Sequence, residues 1–358
     1  MGADQPDKYL PYLEGKNVAL AINNSSLIGN QLSLDTLLFL GVNIVKGFGP
    51  EHGIRGGNIY DSIDAKTGIP VISLYRGKVK PTKEDLEGVD VMIFDMQNVG
   101  TKFYTYKATL RYVMEACAEN NIQLIVFDRP NPNDYVDGPI NEFSSFVGLD
   151  PIPILHGMTM GEYAMMLNGE GWLEDNLKCD LKVIKVLNWK HGDPYTLPVA
   201  PSPNLNTQQS ILLYPSLCLF EGTVINLGRR TDPLIAFTVI GNPELKDIYS
   251  FSYEVYGADE TTVHYGLDLR TYNTDIFRET GRMNLGWYIE LYNSYPDKGN
   301  FFRQSANGSY RFDRLAGTSS LREQIIAGKT EEEIRKSWEP GLTAYKKMRE
   351  KYLLYQEK

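Results

Sequence analysis

The sequence predicts an α/β protein: a doubly wound, mostly parallel sheet over residues 1–232, then a smaller α+β domain over residues 233–358. Three observations lead there. Short, continuously apolar runs alternate with segments of helical periodicity through the first two thirds of the chain, as strands buried on both faces require. After Pro233 the pattern changes to alternating, strand-like segments followed by helices. A length of 358 residues also favours two domains over one.

The elements follow in order. Residues 18–22 (Val-Ala-Leu-Ala-Ile) read as the first strand, and 33–40 follow at helical spacing. Further strands are predicted at 42–48, 71–74, 89–94 and 124–127, with an amphipathic helix over 106–118 between the last two. A helix from Thr159, a strand over 181–186, a short helix near 214–220 and a strand over 223–227 complete a set of seven strands. In the second domain, residues 251–256 and 263–269 alternate as strands do, and helices are predicted over 285–295 and from Thr330. Thr330-Glu-Glu-Glu333 has the spacing of a capping box.

Composition narrows the function. The formal net charge of −9 argues against a nucleic-acid partner, which needs a basic patch, and disfavours anionic membranes. Any anionic ligand must then be held by local cations. Twenty-three tyrosines and four tryptophans supply flat, amphipathic rings that suit sugar stacking, although most such rings simply pack. The three cysteines form no CxxC pair and the four histidines no HExxH, so neither a disulfide framework nor a zinc site is indicated. No cofactor is expected. No apolar run is long enough to span a membrane. Met1-Gly2-Ala3-Asp4 lacks the basic and apolar regions of a secretion signal, which fits a cytoplasmic protein or a chain whose signal has been removed.

In open α/β sheets, ligands sit beyond the carboxyl ends of the strands. The ends of four of the first five predicted strands are polar: Asn23-Asn24-Ser25-Ser26, then Gly49-Pro-Glu-His-Gly-Ile-Arg55. The third is Asp95-Met-Gln-Asn-Val-Gly100, with Tyr104 and Tyr106 just beyond, and the fourth is Asp128-Arg-Pro-Asn-Pro132. Glu51 stands out, set after a proline between Gly49 and Gly53, which permit a tight turn. Such a carboxyl suits a general acid or base tuned by His52 or Arg55, or else a turn carboxylate paired with Arg55. Asp95 and Asp128 fit catalysis, or the capping of loop amides, and Arg129 fits an internal ion pair. His156 fits a substrate contact or a loop-backbone partner, whereas Glu162 is better explained as the capping-box partner of Thr159. Either Arg229 or Arg230 suits a carboxylate held as a bidentate fork, and at least one of them suits a surface ion pair.

Dinucleotide, P-loop and serine-elbow signatures are absent, which leaves acid/base chemistry by carboxylates; glycoside hydrolysis is its commonest form.

At these residues the sequence resembles a known family. The blocks are Phe48-Gly-Pro-Glu-His-Gly-Ile-Arg-Gly56, Asp95-Met-Gln-Asn-Val-Gly100 with Phe103-Tyr-Thr-Tyr106, and Asp128-Arg-Pro-Asn-Pro132. His156-Gly-Met-Thr159, Pro201-Ser-Pro-Asn204 and Leu219-Phe-Glu-Gly-Thr223 complete them. They look like those of the bacterial exo-β-N-acetylmuramidases of the NamZ type, and they extend over residues 17 to about 232. The resemblance implies a Rossmann-like N-terminal domain, a smaller C-terminal domain and a cleft between them. It implies release of β-linked N-acetylmuramic acid from the non-reducing end of peptidoglycan fragments, in the periplasm or outside the cell. The family's proposed catalytic glutamate falls on Glu51, and the later blocks add Asn204 and Glu221 to the candidate substrate contacts. The chain departs from the family pattern at Asn24, Asn98 and Arg230, and is shortened after Arg55, all on the presumed cleft. A non-catalytic muropeptide-binding protein on the same scaffold is the alternative; retention of Glu51 favours an enzyme.

Overall fold

The computed structural model describes residues 1–57 and 60–357. One seven-stranded sheet runs in the order Leu181–Ile184, Gln123–Phe127, Val91–Asp95, Val18–Ile22, Ile44–Gly49, Pro70–Ser73, Ser62–Ile63. Every neighbouring pair is parallel except the outer one, where Ser62–Ile63 runs antiparallel. From Val18–Ile22 the chain first builds outward on one side and then, from Val91–Asp95, on the other. That reversal opens a crevice at the carboxyl ends of the central strands.

Alternate residues of the same strands feed two different cores. Val18, Leu20 and Ile22, with Ile93 and Phe127, pack under Tyr9, Leu13, Leu34 and Leu37. Ala19, Ala21, Phe94 and Val126 face the other way, against Leu110, Val113 and Met114 of the helix Tyr106–Glu119 and Tyr163 and Leu167 of Met160–Glu170. Burial on both faces is why these strands read as unbroken apolar runs.

The second core continues into the C-terminal third, taking in Tyr288, Phe312, Trp338 and Tyr345. There a three-stranded antiparallel sheet, in the order Val239–Asn242, Thr261–Asp268, Phe251–Tyr256, is followed by the helices Gly286–Ser294, Arg311–Ala316, Ser320–Ile326 and Glu331–Arg349. The last of these opens on the capping box between Thr330 and Glu333. The predicted box of Thr159 and Glu162 likewise opens Met160–Glu170.

Two expectations are corrected. Residues 223–227 are not a strand of the main sheet. Their backbone is spent on isolated pairings with later segments, Val224 N–H to the Phe301 carbonyl at 3.0 Å and Asn226 N–H to that of Gly241 at 2.8 Å. The seventh strand is instead the two-residue edge Ser62–Ile63, too short to show periodicity. The segment 214–220 is the end of the helix Gln208–Leu217 running into the tight turn Cys218–Gly222. The hairpin Val136–Ile140 with Pro153–His156 has no counterpart in the sequence reading.

The two parts are tied together at several points. Arg335, on the last helix, bonds both oxygens of Asp137 at 3.1 and 2.9 Å. Beyond that helix, residues 353–357 return to the first domain: the Tyr355 hydroxyl donates to Asp128 Oδ2 at 2.6 Å, and Leu354 N–H donates to Glu162 Oε1 at 2.8 Å.

Candidate active site

Register places the first candidate pair. Gly49 lies opposite Ser73 in neighbouring parallel strands, and Leu74 N–H donates to the Gly49 carbonyl at 2.8 Å. Two residues past each register partner stand Glu51 and Tyr75, and the Tyr75 hydroxyl donates to Glu51 Oε1 at 2.7 Å. That bond to the carboxylate, with partial burial, raises the Tyr75 pKa. The Glu51 turn is tight: Gly53 N–H reaches the Pro50 carbonyl at 2.9 Å, and a Cβ on Gly49 would sit 3.1 Å from Gly53 Cα. His52 adopts φ +76°, a left-handed conformation that non-glycine residues take up at an energetic cost and that recurs at functional sites.

Glu51, His52 and Tyr75 line a cavity of about 440 Å³. Much of its surface is aromatic: Phe103, Tyr104, Tyr106, Phe146, Tyr214 and Phe237. These rings brace one another edge to face, Tyr104 against Tyr106 at 4.8 Å and Phe103 against Tyr214 at 5.3 Å between centroids. The Tyr106 hydroxyl donates to the Pro201 carbonyl at 3.2 Å, which anchors the loop carrying Ser202 and Asn204 to the same cavity.

A second polar set lines this cavity: Glu221, Arg229 and Arg311. Arg229 Nη1 bonds Glu221 Oε1 at 3.2 Å, and Arg311 bonds Glu221 Oε2. Glu221 is largely covered, whereas the two guanidiniums are about half exposed, with 45% and 57% of their side-chain surface open. The arrangement depends on Gly222. A Cβ there would fall 2.2 Å from the Phe312 backbone nitrogen, so only glycine lets Arg311–Ala316 pack close enough to bring Arg311 to Glu221.

The structure therefore gathers Glu51, His52, Tyr104, Tyr106, Asn204, Glu221 and Arg229 around one cavity. Other candidates lie elsewhere. Asp95 is fully buried and locked to Arg129, at 2.6 Å to Nε and 3.1 Å to Nη2; burial pushes its pKa up and the guanidinium pulls it down. Arg129 is thus an internal ion-pair residue, with Asp95 rather than Asp128 as its partner. Asp128 accepts from Gly161 N–H at 2.8 Å and from Tyr355, and burial raises its pKa to about 6.

His156 is fully buried and kept neutral by desolvation, its Nδ1 accepting from Met158 N–H. Arg55 is committed to Asp64 at 2.6 Å and Asp35 at 2.7 Å, and its bond holds the Asp64 pKa down at about 2. Asn23 caps its own turn, accepting from Ser25 N–H, and Asn24 donates to the Ala200 carbonyl at 3.0 Å. Arg230 lines the neighbouring cavity.

Tyr75 and Arg311 are among the cavity residues that escaped the sequence reading. Tyr75 stands just past the predicted strand 71–74, whose end carries a lone tyrosine in place of the run of carboxyl and amide side chains that marks the others. Arg311 follows no motif, and it reaches Glu221 across 90 residues of chain.

The chain is similar to known proteins over nearly its whole length. The N-terminal family pattern described as "Exo-beta-N-acetylmuramidase NamZ" matches residues 18–209, and the C-terminal one matches residues 212–355. The peptidoglycan β-N-acetylmuramidase NamZ of Bacillus subtilis (strain 168) is 38% identical over 98% of this chain and 89% of its own length. Two crystal structures of DUF1343 family proteins from Bacteroides fragilis superpose closely. The first, at 39% identity, has a TM-score of 0.91 with 100% of this chain and 99% of that one covered. The second, at 29% identity, has a TM-score of 0.81 with 98% and 97% covered. With both family patterns matched in order along nearly the whole chain, this protein belongs to the NamZ exo-β-N-acetylmuramidase family.

Proposed function

We propose that this protein is an exo-acting glycoside hydrolase that releases β-linked N-acetylmuramic acid from the non-reducing end of peptidoglycan fragments. The observation that carries this reading is one cavity holding both a positioned carboxyl, Glu51, and a pair of arginines, Arg229 and Arg311. Glu51 is the general acid: it protonates the glycosidic oxygen as the bond to the anomeric carbon breaks, and it later takes a proton from the incoming water. Glu221 is the other carboxylate among the described lining residues, and both of its oxygens are already engaged, one by Arg229 and the other by Arg311. The oxygen of the substrate's own 2-acetamido group is therefore the group we assign to the anomeric carbon.

Muramic acid differs from glucosamine by a lactyl ether carrying a carboxylate. In a protein of net charge −9, a local cation must select it. Arg229 and Arg311 suit that carboxylate, with Glu221 fixing their geometry. The aromatic lining suits the sugar ring. We keep the domain division at about residue 232, with Glu51 before it and Arg311 after it. We place the protein's work in the periplasm or outside the cell, where such glycans are found. Among the described residues no helix is long and apolar enough to cross a membrane.

The test is incubation with a chromogenic β-N-acetylmuramide and its N-acetylglucosaminide counterpart. Turnover of the muramide, well above that of the glucosaminide, is expected. Binding of muramyl sugars without turnover would instead make this a binding protein.

A further inference from the structure

Next to the Glu51 cavity lies a larger one of about 750 Å³, and the two share Asn204, Glu221, Arg229 and Arg311. Arg230 and Arg303 line the second cavity alone. Four arginines therefore line it, while Glu221 is the one carboxylate among the described lining residues and is already shared by Arg229 and Arg311. Neither Arg230 nor Arg303 forms an ion pair among the described residues. This uncompensated charge sits in a protein whose overall field repels anions.

Both positions are held by backbone. Arg303 N–H donates to the Gly222 carbonyl at 2.9 Å beside the Thr223–Phe302 bridge. The Arg230 carbonyl accepts from Tyr256 N–H at 2.7 Å, and Arg230 itself adopts φ +60°, where an L side chain carries a steric cost. Both arginines are exposed and without an ion-pair partner among the described residues, so their charge is open to an anion entering this cavity.

We infer that this second cavity takes a second carboxylate of the same glycan chain, the lactyl carboxylate of the next muramoyl residue on the leaving side. The inference rests on the glycosidase reading above. A stem peptide is the less fitting occupant, because an amide-linked peptide removes the lactyl carboxylate that Arg229 and Arg311 are placed to read. The protein would then measure chain length, using Glu221 as the divider between two anion-binding pairs.

The experiment compares kcat/KM for a peptide-free muramoyl disaccharide with that for the corresponding tetrasaccharide at low ionic strength. The tetrasaccharide should be favoured by about tenfold, the worth of one charge-assisted contact to an exposed guanidinium. The ratio should fall towards one in Arg303→Ala and with added salt. It should also fall towards one for a tetrasaccharide whose second lactyl carboxylate is amidated, which needs no variant to fold. A ratio near one for the wild type, or one that survives both Arg303→Ala and amidation, would overturn the inference and leave the glycosidase reading standing. No turnover of any of these substrates would sink that reading, and the inference with it.

Discussion

The two polar sets around the 440 Å³ cavity are built by different means. Glu51 and Tyr75 come from the tips of adjacent parallel strands, 24 residues apart, and the sheet's register alone brings them together. Glu221, Arg229 and Arg311 come from irregular backbone and the start of a six-residue helix, and they meet only because Gly222 lets two segments touch. The group we propose for proton transfer thus rests on the most regular part of the fold, and the group we propose to read the carboxylate on tertiary packing between distant segments. Chemistry common to a family can stay on the rigid sheet while recognition is retuned by changes among loops.

Four measurements would break or sharpen this contrast, starting with the largest expected effect. Glu51→Gln keeps the shape and removes the proton, so kcat on the muramide should fall by about 10²–10⁴-fold with little change in melting temperature. Near wild-type turnover would take the acid role away from the strand tips altogether.

Arg311→Ala should lower kcat/KM on the muramide by about ten- to a hundredfold while leaving any glucosaminide activity largely intact. Equal losses on both sugars would mean that the arginine only holds Glu221 in place, and the division between catalysis and recognition would collapse.

Tyr75→Phe deletes one hydrogen bond to Glu51. A drop of about three- to tenfold in kcat with KM little changed is expected, from a bond worth about 1 kcal/mol. A change confined to KM would move Tyr75 to the recognition set.

The smallest effect on activity is expected at a buried histidine away from the cavity. His191 is buried, which lowers its pKa, but hydrogen bonds to Asp134 and Glu162 outweigh this and raise it to about 9. A raised histidine pKa means stabilisation that is full below its usual value of about 6.5 and is lost as pH rises through about 9. Burial lowers the pKa of Lys102 to about 7 and of Lys107 to about 8, which works in the opposite sense, so the readout is a difference. Wild type should exceed His191→Gln in urea unfolding free energy by on the order of 3 kcal/mol at pH 6, and the gap should close above pH 9. A gap independent of pH would mean that the imidazole is neutral in the folded protein.

What was legible in the sequence follows the same division. The strands 18–22 and 124–127 were readable because burial on both faces leaves an unbroken apolar run, and Glu51 because glycines and a proline mark its turn. Polarity at a strand end was a weaker guide. Asp95 and Asp128 share that mark with Glu51, yet they are covered, one by Arg129 and the other by Tyr355. A sequence does not tell whether a tip faces solvent or a later segment. Residues 223–227 misled because their apolar pattern suits any extended segment, while their partners, Gly241 and Phe301, lie far along the chain. Arg311 was illegible for the same reason: nothing near it in sequence foretells Glu221.

The return of residues 353–357 to the first domain has a consequence for biosynthesis. The main sheet is complete in sequence by Ile184, well before its last partners have been made. Asp128 must wait for Tyr355, 227 residues later, and Glu162 for the amide of Leu354. During translation the sheet therefore emerges with two carboxylates whose covering segment does not yet exist. Cleavage or fusion at the far end of the chain would therefore be felt at Asp128, just past the strand Gln123–Phe127, and at Glu162 on the helix Met160–Glu170.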